Sequence, residues 1–281
     1  MEDMLVVKNV SKKLGDFYLN DVSLSLPKGY IMGYIGKNGA GKTTTINIIN
    51  HLINPDCGSV TINGISYKDN PVLYKEQIGY VGDESYFPPE FKIKDVKKVL
   101  KMFYKSFDEK KFDEIVEREG LSKDKKIKDF SRGMNVKLMF ATVLSRETKI
   151  LILDEATNGL DPIAKDSLMT TLQEYIEDGE KSIFFSTHVV SDLEQIADFV
   201  VMIENGKLVI NEQKEELLEN YLIVKGNESE LKGLEGNLLG KKSNDYGFEA
   251  MIKADCADEF GNKFIFEKPN IEQIAIHLLR A

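Results

Sequence analysis

The sequence predicts an α/β protein built around a parallel β-sheet that is buried on both faces. Its apolar runs are short and rich in β-branched and aromatic residues, and several, such as those at 150–153 and 199–203, are apolar throughout. Helical patterns separate these runs, and one of them follows Pro162, which suits the first turn of a helix. The 281 residues are enough for one large domain or two smaller ones.

The expected elements fall into three blocks. The strand-like runs lie at 4–7, 22–26, 30–35, 59–62, 78–81, 150–153, 182–185 and 199–203. Between 91 and 147 no such run occurs, and the apolar residues recur at three- and four-residue steps, which predicts an inserted subdomain of amphipathic helices. The residues showing this spacing are Ile93, Val96, Leu100, Phe103 and Phe107. From 220 to 281 the composition shifts again and indicates a small C-terminal α/β appendage, set apart from a main domain at 1–219.

Charge and cysteine content exclude several classes of protein. A net charge of −9 argues against a duplex-DNA binder, and we expect no nucleic-acid partner. Cys57 and Cys256 lie far apart in sequence, which indicates free thiols in a reducing cytosol. The N-terminal region is acidic and not a signal peptide, and the longest apolar runs are too short to span a membrane. We therefore expect a cytoplasmic chain that reaches the inner face of the cell membrane only through a partner.

A glycine-rich loop carries the first chemical signal. The stretch "GKNGAGKTTT" begins at Gly36, follows a predicted strand and opens a predicted helix, and it fits the phosphate-loop pattern G-x-x-x-x-G-K-[ST]. Its glycines let backbone N–H groups turn toward phosphate oxygens, while Lys42 reaches the β- and γ-phosphates and the Thr43 hydroxyl binds Mg²⁺. The predicted nucleotide-binding residues are Gly36, Lys37, Asn38, Gly39, Ala40, Gly41, Lys42, Thr43 and Thr44.

Two carboxylates follow the apolar run at 150–153. Asp154, at the end of this predicted strand, is placed to hold Mg²⁺ through water, as the corresponding aspartate of nucleotide-hydrolysing enzymes does. Glu155 is then placed to orient or deprotonate a water molecule that faces the γ-phosphate. The pair predicts that the nucleotide is hydrolysed as well as bound.

Three further motifs stand in a fixed order around this strand. The run "DFSRGMNVKL" at 129–138 precedes it, "NGLDP" at 158–162 follows it, and "STH" at 186–188 ends the next predicted strand. Together with the glycine loop they resemble the signature, the D-loop and the switch histidine of ATP-binding-cassette (ABC) ATPases. Ser131 lies 88 positions after Thr43, which is typical of that family. The resemblance covers the chain up to about residue 211.

The resemblance implies both a fold and a mechanism. The fold is a P-loop NTPase (RecA-like) core with an antiparallel β subdomain and an inserted helical signature subdomain. The residues in these motifs are similar to those of the ATPases of the type-2 export group of bacterial transporters. In such proteins two subunits dimerise head to tail on MgATP and drive transport through separate membrane-spanning permease subunits. The second ATPase subunit is either identical or homologous. The resemblance assigns a catalytic role to His188 beside Glu155, and ATP contacts across the dimer to Ser131, Arg132, Gly133, Met134 and Asp161.

The chain departs from the family pattern in three places. In the signature at 131–134 the second and last residues are not glycine and glutamine. At the position of the family's Q-loop glutamine stands Asp83, which is expected to bind Mg²⁺, with Glu84 as the alternative. For stacking on adenine we expect Phe17, with Tyr18 as the alternative, although either ring also suits a core position.

Three other classes of protein fit the sequence less well than a transporter ATPase. DNA-repair and chromosome-organising ABC proteins insert long coiled coils, for which the 88 residues leave no room. Translation factors of the superfamily carry two cassettes, whereas this chain has one glycine loop. A non-hydrolysing scaffold needs no carboxylate at Glu155. The expected function is therefore transport ATPase, and residues 220–281 are expected to form a unit that does not touch ATP.

Overall fold

The computed structural model describes residues 2–231, 233–244 and 247–280. Met1 and Ala281, the end points of the two predicted domains, lie outside the described residues. The strands are β1 Asp3–Leu14, β2 Phe17–Pro27, β3 Ile31–Ile35, β4 Cys57–Ile62, β5 Ile65–Ser66, β6 Ile78–Val81, β7 Ile150–Asp154, β8 Ser182–Thr187, β9 Phe199–Glu204, β10 Lys207–Gln213, β11 Tyr221–Gly226, β12 Leu239–Asn244, β13 Gly247–Lys253 and β14 Ile265–Glu267. The helices are α1 Lys42–Ile49, α2 Pro71–Glu76, α3 Ile93–Phe103, α4 Glu109–Arg118, α5 Arg132–Leu144, α6 Pro162–Ile176, α7 Val190–Glu194, α8 Lys214–Glu219, α9 Ala257–Phe260 and α10 Ile271–Leu278.

A six-stranded sheet in the order β10-β9-β3-β8-β7-β6 forms the centre of the molecule. All its neighbouring pairs are parallel except β10–β9. Each residue of β7 and β8 is buried because both faces of the sheet are covered, which accounts for the unbroken apolar runs at 150–153 and 183–185. The carboxyl ends of β3, β7 and β8 meet at one edge of the sheet, where α/β proteins bind their ligands. This confirms the predicted fold class.

An antiparallel sheet in the order β2-β1-β4-β5 covers one face of the central sheet. It contains three of the predicted runs, those at 4–7, 22–26 and 59–62. Helix α1 lies in the same core, with Ile46 and Ile49 fully buried. The antiparallel β subdomain implied by the resemblance is therefore present, and it holds the helix that follows the glycine loop.

Helices α3, α4 and α5 pack around a core of their own, in which Val96, Phe112 and Leu138 are fully buried. This agrees with the helical pattern expected for 91–147. Phe103 differs from that pattern, because α3 ends there and 66% of the residue is exposed. The three- and four-residue spacing of apolar residues therefore includes Phe103, although the buried face of α3 does not.

The C-terminal strands form a third sheet, β12-β13-β11-β14, with an apolar cluster that includes Val224 and Phe248. The last helix, α10, packs instead into the main core, where Ile271 and Ile274 join Leu193 of α7. The division at 219/220 remains a prediction, and the structure adds that the two parts share this core. Both cysteines are free thiols. In the described part of the chain, no helix combines the length and the apolar character needed to cross a bilayer.

Candidate functional site

The glycine loop connects the carboxyl end of β3 to the start of α1. Gly41 caps α1 with a φ of 119°, a backbone conformation that glycine adopts readily and other residues rarely do. Gly36 lies against the backbone of Ile203, and a Cβ at this position would come within 2.5 Å of the Ile203 carbonyl oxygen. The Lys42 side chain folds back along the loop and donates from Nζ to the Gly36 carbonyl oxygen at 2.6 Å. The loop thus has the compact shape that phosphate binding requires.

Lys42 and Glu155 face each other across this loop. The distance from Lys42 Nζ to Glu155 Oε1 is 3.2 Å, and their side chains are only 5% and 15% exposed. Glu155 has a left-handed backbone with a φ of 55°, and its N–H donates to the Ser186 carbonyl oxygen of β8. This unusual turn directly after β7 points the carboxylate toward the lysine, and strained conformations of this kind cluster at functional sites.

The second oxygen of Glu155 is held by the loop that contains His188. Nδ1 of His188 lies 2.7 Å from Glu155 Oε2, and the His188 backbone N–H also donates to it. Because an ionised carboxylate only accepts hydrogen bonds, the ring carries its hydrogen on Nδ1 in this contact. Asn158 Nδ2 donates to the same oxygen at 3.1 Å. The structure therefore brings together the two residues predicted as catalytic, and it adds Asn158, which the sequence did not single out.

Asp154 is buried at the end of β7 beside Thr43. Burial raises the pKa of its carboxyl group, and the nearby Glu155 carboxylate acts in the same direction, while the Ser186 side chain and, to a smaller extent, Lys42 and Thr43 oppose the shift. Oδ1 of Asp154 is buried and has no hydrogen-bond partner in the described part of the chain. An unsatisfied carboxylate oxygen beside a hydroxyl fits Mg²⁺, which uses one or two protein oxygens together with phosphates and water. The described residues contain no cluster of three or more His, Cys, Asp or Glu side chains that could hold a metal by themselves.

A cleft of about 400 Å³ opens beside the glycine loop. It is lined by Leu14, Phe17, Lys37, Asn38, Gly39, Gly41, Lys42, Thr43, Thr44 and Glu155. Phe17 lies close to the loop, since a Cβ on Gly41 would be 3.0 Å from Phe17 Cζ. Tyr18 is 49% exposed and is not part of the lining. Of the two aromatic candidates for adenine stacking, the structure brings Phe17 to the cleft, together with Leu14.

The signature residues lie at the start of α5, outside this cleft. Ser131 caps the helix by accepting from the Met134 N–H at 3.2 Å, and none of the residues 131–134 lines the cleft. Asp161 caps α6 through Oδ1 and is likewise not part of the lining. The carboxylate of Asp83 forms an ion pair with Arg132 of α5. The structure therefore places Asp83 against the signature helix and not in the cleft with Thr43 and Asp154.

The C-terminal helix lies closer to the site than the sequence indicated. A cavity of about 340 Å³ is lined on one side by Lys37, Asn38 and His188 and on the other by residues of α10, including Glu272 and Ile276. No local pattern in the sequence predicts this, because α10 follows the switch histidine by more than 80 residues and belongs to the block predicted to be separate.

Comparisons with known proteins agree with this geometry. A family model described as ABC transporter matches residues 19–158. An uncharacterized ABC transporter ATP-binding protein of Bacillus subtilis, YdbJ, is 30% identical over 280 residues, which cover 97% of this chain and 91% of that protein. The chain belongs to the family of ABC transporter ATP-binding proteins.

Two further similarities support this assignment. The lantibiotic transport ATP-binding protein SrtF of Streptococcus pyogenes is 34% identical over 233 residues, covering 78% of this chain and 98% of that protein. A solved structure of an ATP-binding subunit of an ABC transporter superposes with a TM-score of 0.70 at 27% identity and covers 76% of this chain and 91% of its own. This ABC protein is therefore an ATP-binding and ATP-hydrolysing subunit of a transporter.

Proposed function

We propose that this subunit hydrolyses ATP with Glu155 as general base, pairs head to tail with a second ATPase subunit, and drives export through membrane-spanning permease subunits. One observation carries the proposal: Glu155 contacts both the phosphate-loop lysine and the switch histidine. Export is supported by SrtF, whose name assigns it to lantibiotic transport. The chain is then held at the cytoplasmic face of the membrane by its permease partner.

The residues in and beside the cleft have separate tasks in this mechanism. Lys42, the N–H groups of residues 37–44 and the start of α1 hold the phosphates, and Phe17 stacks on adenine. Thr43 and Asp154 hold Mg²⁺, which neutralises phosphate charge when it is bound. Glu155 accepts a proton from the attacking water, while His188 orients the carboxylate through Nδ1. The water oxygen then bonds to the γ-phosphorus and ADP leaves.

The position of the signature supports a dimer. Ser131 and Gly133 lie at the amino end of α5, where backbone N–H groups favour a phosphate. They do not line the cleft of their own subunit. We propose that Ser131 and Gly133 of the signature, together with Asp161, contact the nucleotide held by the other subunit. Two sites then close together when MgATP is bound.

The dimer is tested with Glu155→Gln, which keeps the shape of the side chain but removes its basicity. Hydrolysis is expected to fall by about 10²–10⁴-fold, and the trapped MgATP should convert a monomer into a dimer, as measured by light scattering after size-exclusion chromatography. Adding Ser131→Arg should abolish that shift, because a bulky cation then stands at the contact with the other subunit. Hydrolysis at the parental rate by Glu155→Gln contradicts the assignment of the base.

A groove of about 720 Å³ between α2 and α3 supports a permease contact. Val72, Tyr86 and Phe103 in its lining are 65%, 49% and 66% exposed, so three large apolar side chains face solvent along one groove. Its charged lining residues are Lys75, Arg146 and Glu76, so the groove carries a net positive charge within a chain of net charge −9. We propose that the groove accepts an apolar cytoplasmic segment of the permease that carries an acidic residue.

Two neighbouring residues provide a matched test of this contact. Phe103→Asp places a charge in the apolar lining and should abolish co-purification with the permease. Met102→Asp is the control, since Met102 is 73% exposed and is not part of the groove. Equal retention of the permease by both variants contradicts docking in the groove.

Residues 220–281 are proposed to form an accessory unit that does not bind ATP itself. Its last helix, α10, contacts α7, which follows His188: the Ile271 N–H donates to Glu194 Oε1 at 3.0 Å. The unit is therefore placed to influence the switch histidine through packing.

A further inference from the structure

Two of the positions at which this chain departs from the ABC pattern touch each other. Arg132 occupies the second position of the signature, and Asp83 occupies the position where the family usually has glutamine. Nη2 of Arg132 and Oδ1 of Asp83 form an ion pair, although the two residues lie on different elements, α5 and the loop that follows β6. A cation at one position and a carboxylate at the other therefore compensate each other within the subunit.

Arg132 also contacts a third segment. A Cβ on Gly159 would lie 3.2 Å from Arg132 Cδ and 3.5 Å from its Nε, so the side chain lies close over the backbone of Gly159. Gly159 belongs to the loop that follows Glu155, and its neighbour Asn158 donates to Glu155 Oε2. One arginine thus bridges the loop after β6, the start of the signature helix and the loop that leads back to the catalytic carboxylate.

We infer that Arg132 is a positioning residue: held by Asp83 and resting on Gly159, it sets the place of Ser131 and Gly133 for the nucleotide of the other subunit. The inference rests on the proposed role of the signature across the dimer. It also gives Asp83 a different task from metal binding, because the carboxylate serves the arginine. The guanidinium suits this task, since its planar fork fixes a direction that the point charge of a lysine does not.

The structure separates this role from a contribution to folding. The two side chains are 38% and 49% exposed, and exposed ion pairs contribute little to stability. Variants of either residue should therefore fold, bind ATP as isolated subunits and fail mainly in turnover. Misplacement of a reacting group by about 1 Å can cost on the order of 10²-fold in rate, so we expect a loss of kcat of about 10- to 100-fold.

The test is a double-mutant cycle with Asp83→Asn, Arg132→Gln and the double variant, measured in the complex with the permease. If the pair acts as a unit, the double variant loses no more kcat than either single variant, and the KM for ATP and the Mg²⁺ concentration for half-maximal rate stay parental. Arg132→Lys should recover part of the loss. Lys110→Ala is the control, because Lys110 forms an exposed ion pair with Glu114 on α4 and should leave kcat unchanged.

Three results overturn the inference. Additive losses show that the residues act separately. A parental kcat of Asp83→Asn shows that Arg132 does not depend on this carboxylate. A higher Mg²⁺ concentration for half-maximal rate in Asp83→Asn shows that Asp83 takes part in metal binding. Glu155→Gln, assayed in the same way, distinguishes a failure of this inference from a failure of the proposed function. If Glu155→Gln hydrolyses ATP at the parental rate, the proposed function is wrong. If Glu155→Gln is inactive and the double-mutant cycle shows no coupling, only the role of Arg132 is wrong.

Discussion

The ion pair between Lys42 and Glu155 predicts that the catalytic carboxylate competes with the nucleotide for the lysine. With Nζ and Oε1 3.2 Å apart, Coulomb's law at an effective dielectric constant of about 20 gives a gross attraction of roughly 5 kcal/mol. Desolvation of two largely buried charges cancels most of that energy. We take a net value of about 1.4 kcal/mol, which corresponds to about tenfold in affinity. Glu155→Gln should therefore bind nucleotide about tenfold more tightly than the parent.

ADP is the appropriate ligand for this measurement, because it is not hydrolysed and its β-phosphate reaches Lys42. Isothermal titration of ADP into the monomer gives the affinity for the parent, Glu155→Gln, Lys42→Ala and the double variant. Lys42→Ala should bind ADP weakly, and adding Glu155→Gln to it should give no further gain, because the cation for which the carboxylate and the nucleotide compete is gone. Unchanged or weaker binding of ADP by Glu155→Gln alone would refute the competition.

Two other predictions concern stability. Burial raises the pKa of Asp154, and its neutral form is therefore favoured in the folded protein. The free energy of unfolding accordingly falls as pH rises from about 3.9, the ordinary pKa of an aspartate, through the raised pKa. Without nucleotide, Asp154→Asn should therefore become more stable to heat than the parent over this pH interval and stay more stable at neutral pH, while its Mg²⁺-dependent hydrolysis is lost. A difference in melting temperature between variant and parent that is the same at pH 4 and pH 7 would contradict this. Ile274→Ala in α10, whose side chain is fully buried, should lower the free energy of unfolding by about 2–5 kcal/mol and reduce hydrolysis more than ADP affinity. Ile265→Ala is the control for that measurement, since Ile265 is 63% exposed in β14, and equal effects of the two substitutions would count against a role for α10.

The parts of the site that lie along one stretch of chain could be predicted from the sequence. The glycine loop, the carboxylates at 154–155 and His188 each follow a short buried strand, and the parallel sheet brings the ends of these strands to one edge. Local sequence pattern was sufficient to predict these residues of the site, because residues that follow adjacent parallel strands lie close together in space. The resemblance to the family then supplied the order of the motifs.

The remaining features depend on contacts between distant segments. Asp83 and Arg132 each stand out in the sequence as a departure from the family pattern, but their pairing becomes apparent only when the helical subdomain is placed against β6. Strand β12 has an exposed, polar sequence with a glycine, and it forms because β13 supplies its hydrogen bonds. Periodicity shows that one face of α10 is buried, but it does not show that α7 covers that face.

The shared core under α10 has a consequence for how the ATPase part can be cut or exchanged. SrtF is matched over nearly its whole length by only part of this chain, so a related ATPase exists without a counterpart for the remainder. Here, deletion of α10 would remove Ile271, Ile274 and Ala275 from the main core, which they share with Leu193 of α7, and the apolar surface left behind would favour aggregation. A soluble minimal version of this subunit, or a chimera with a relative that lacks the appendage, therefore needs polar residues grafted onto the outer face of α7.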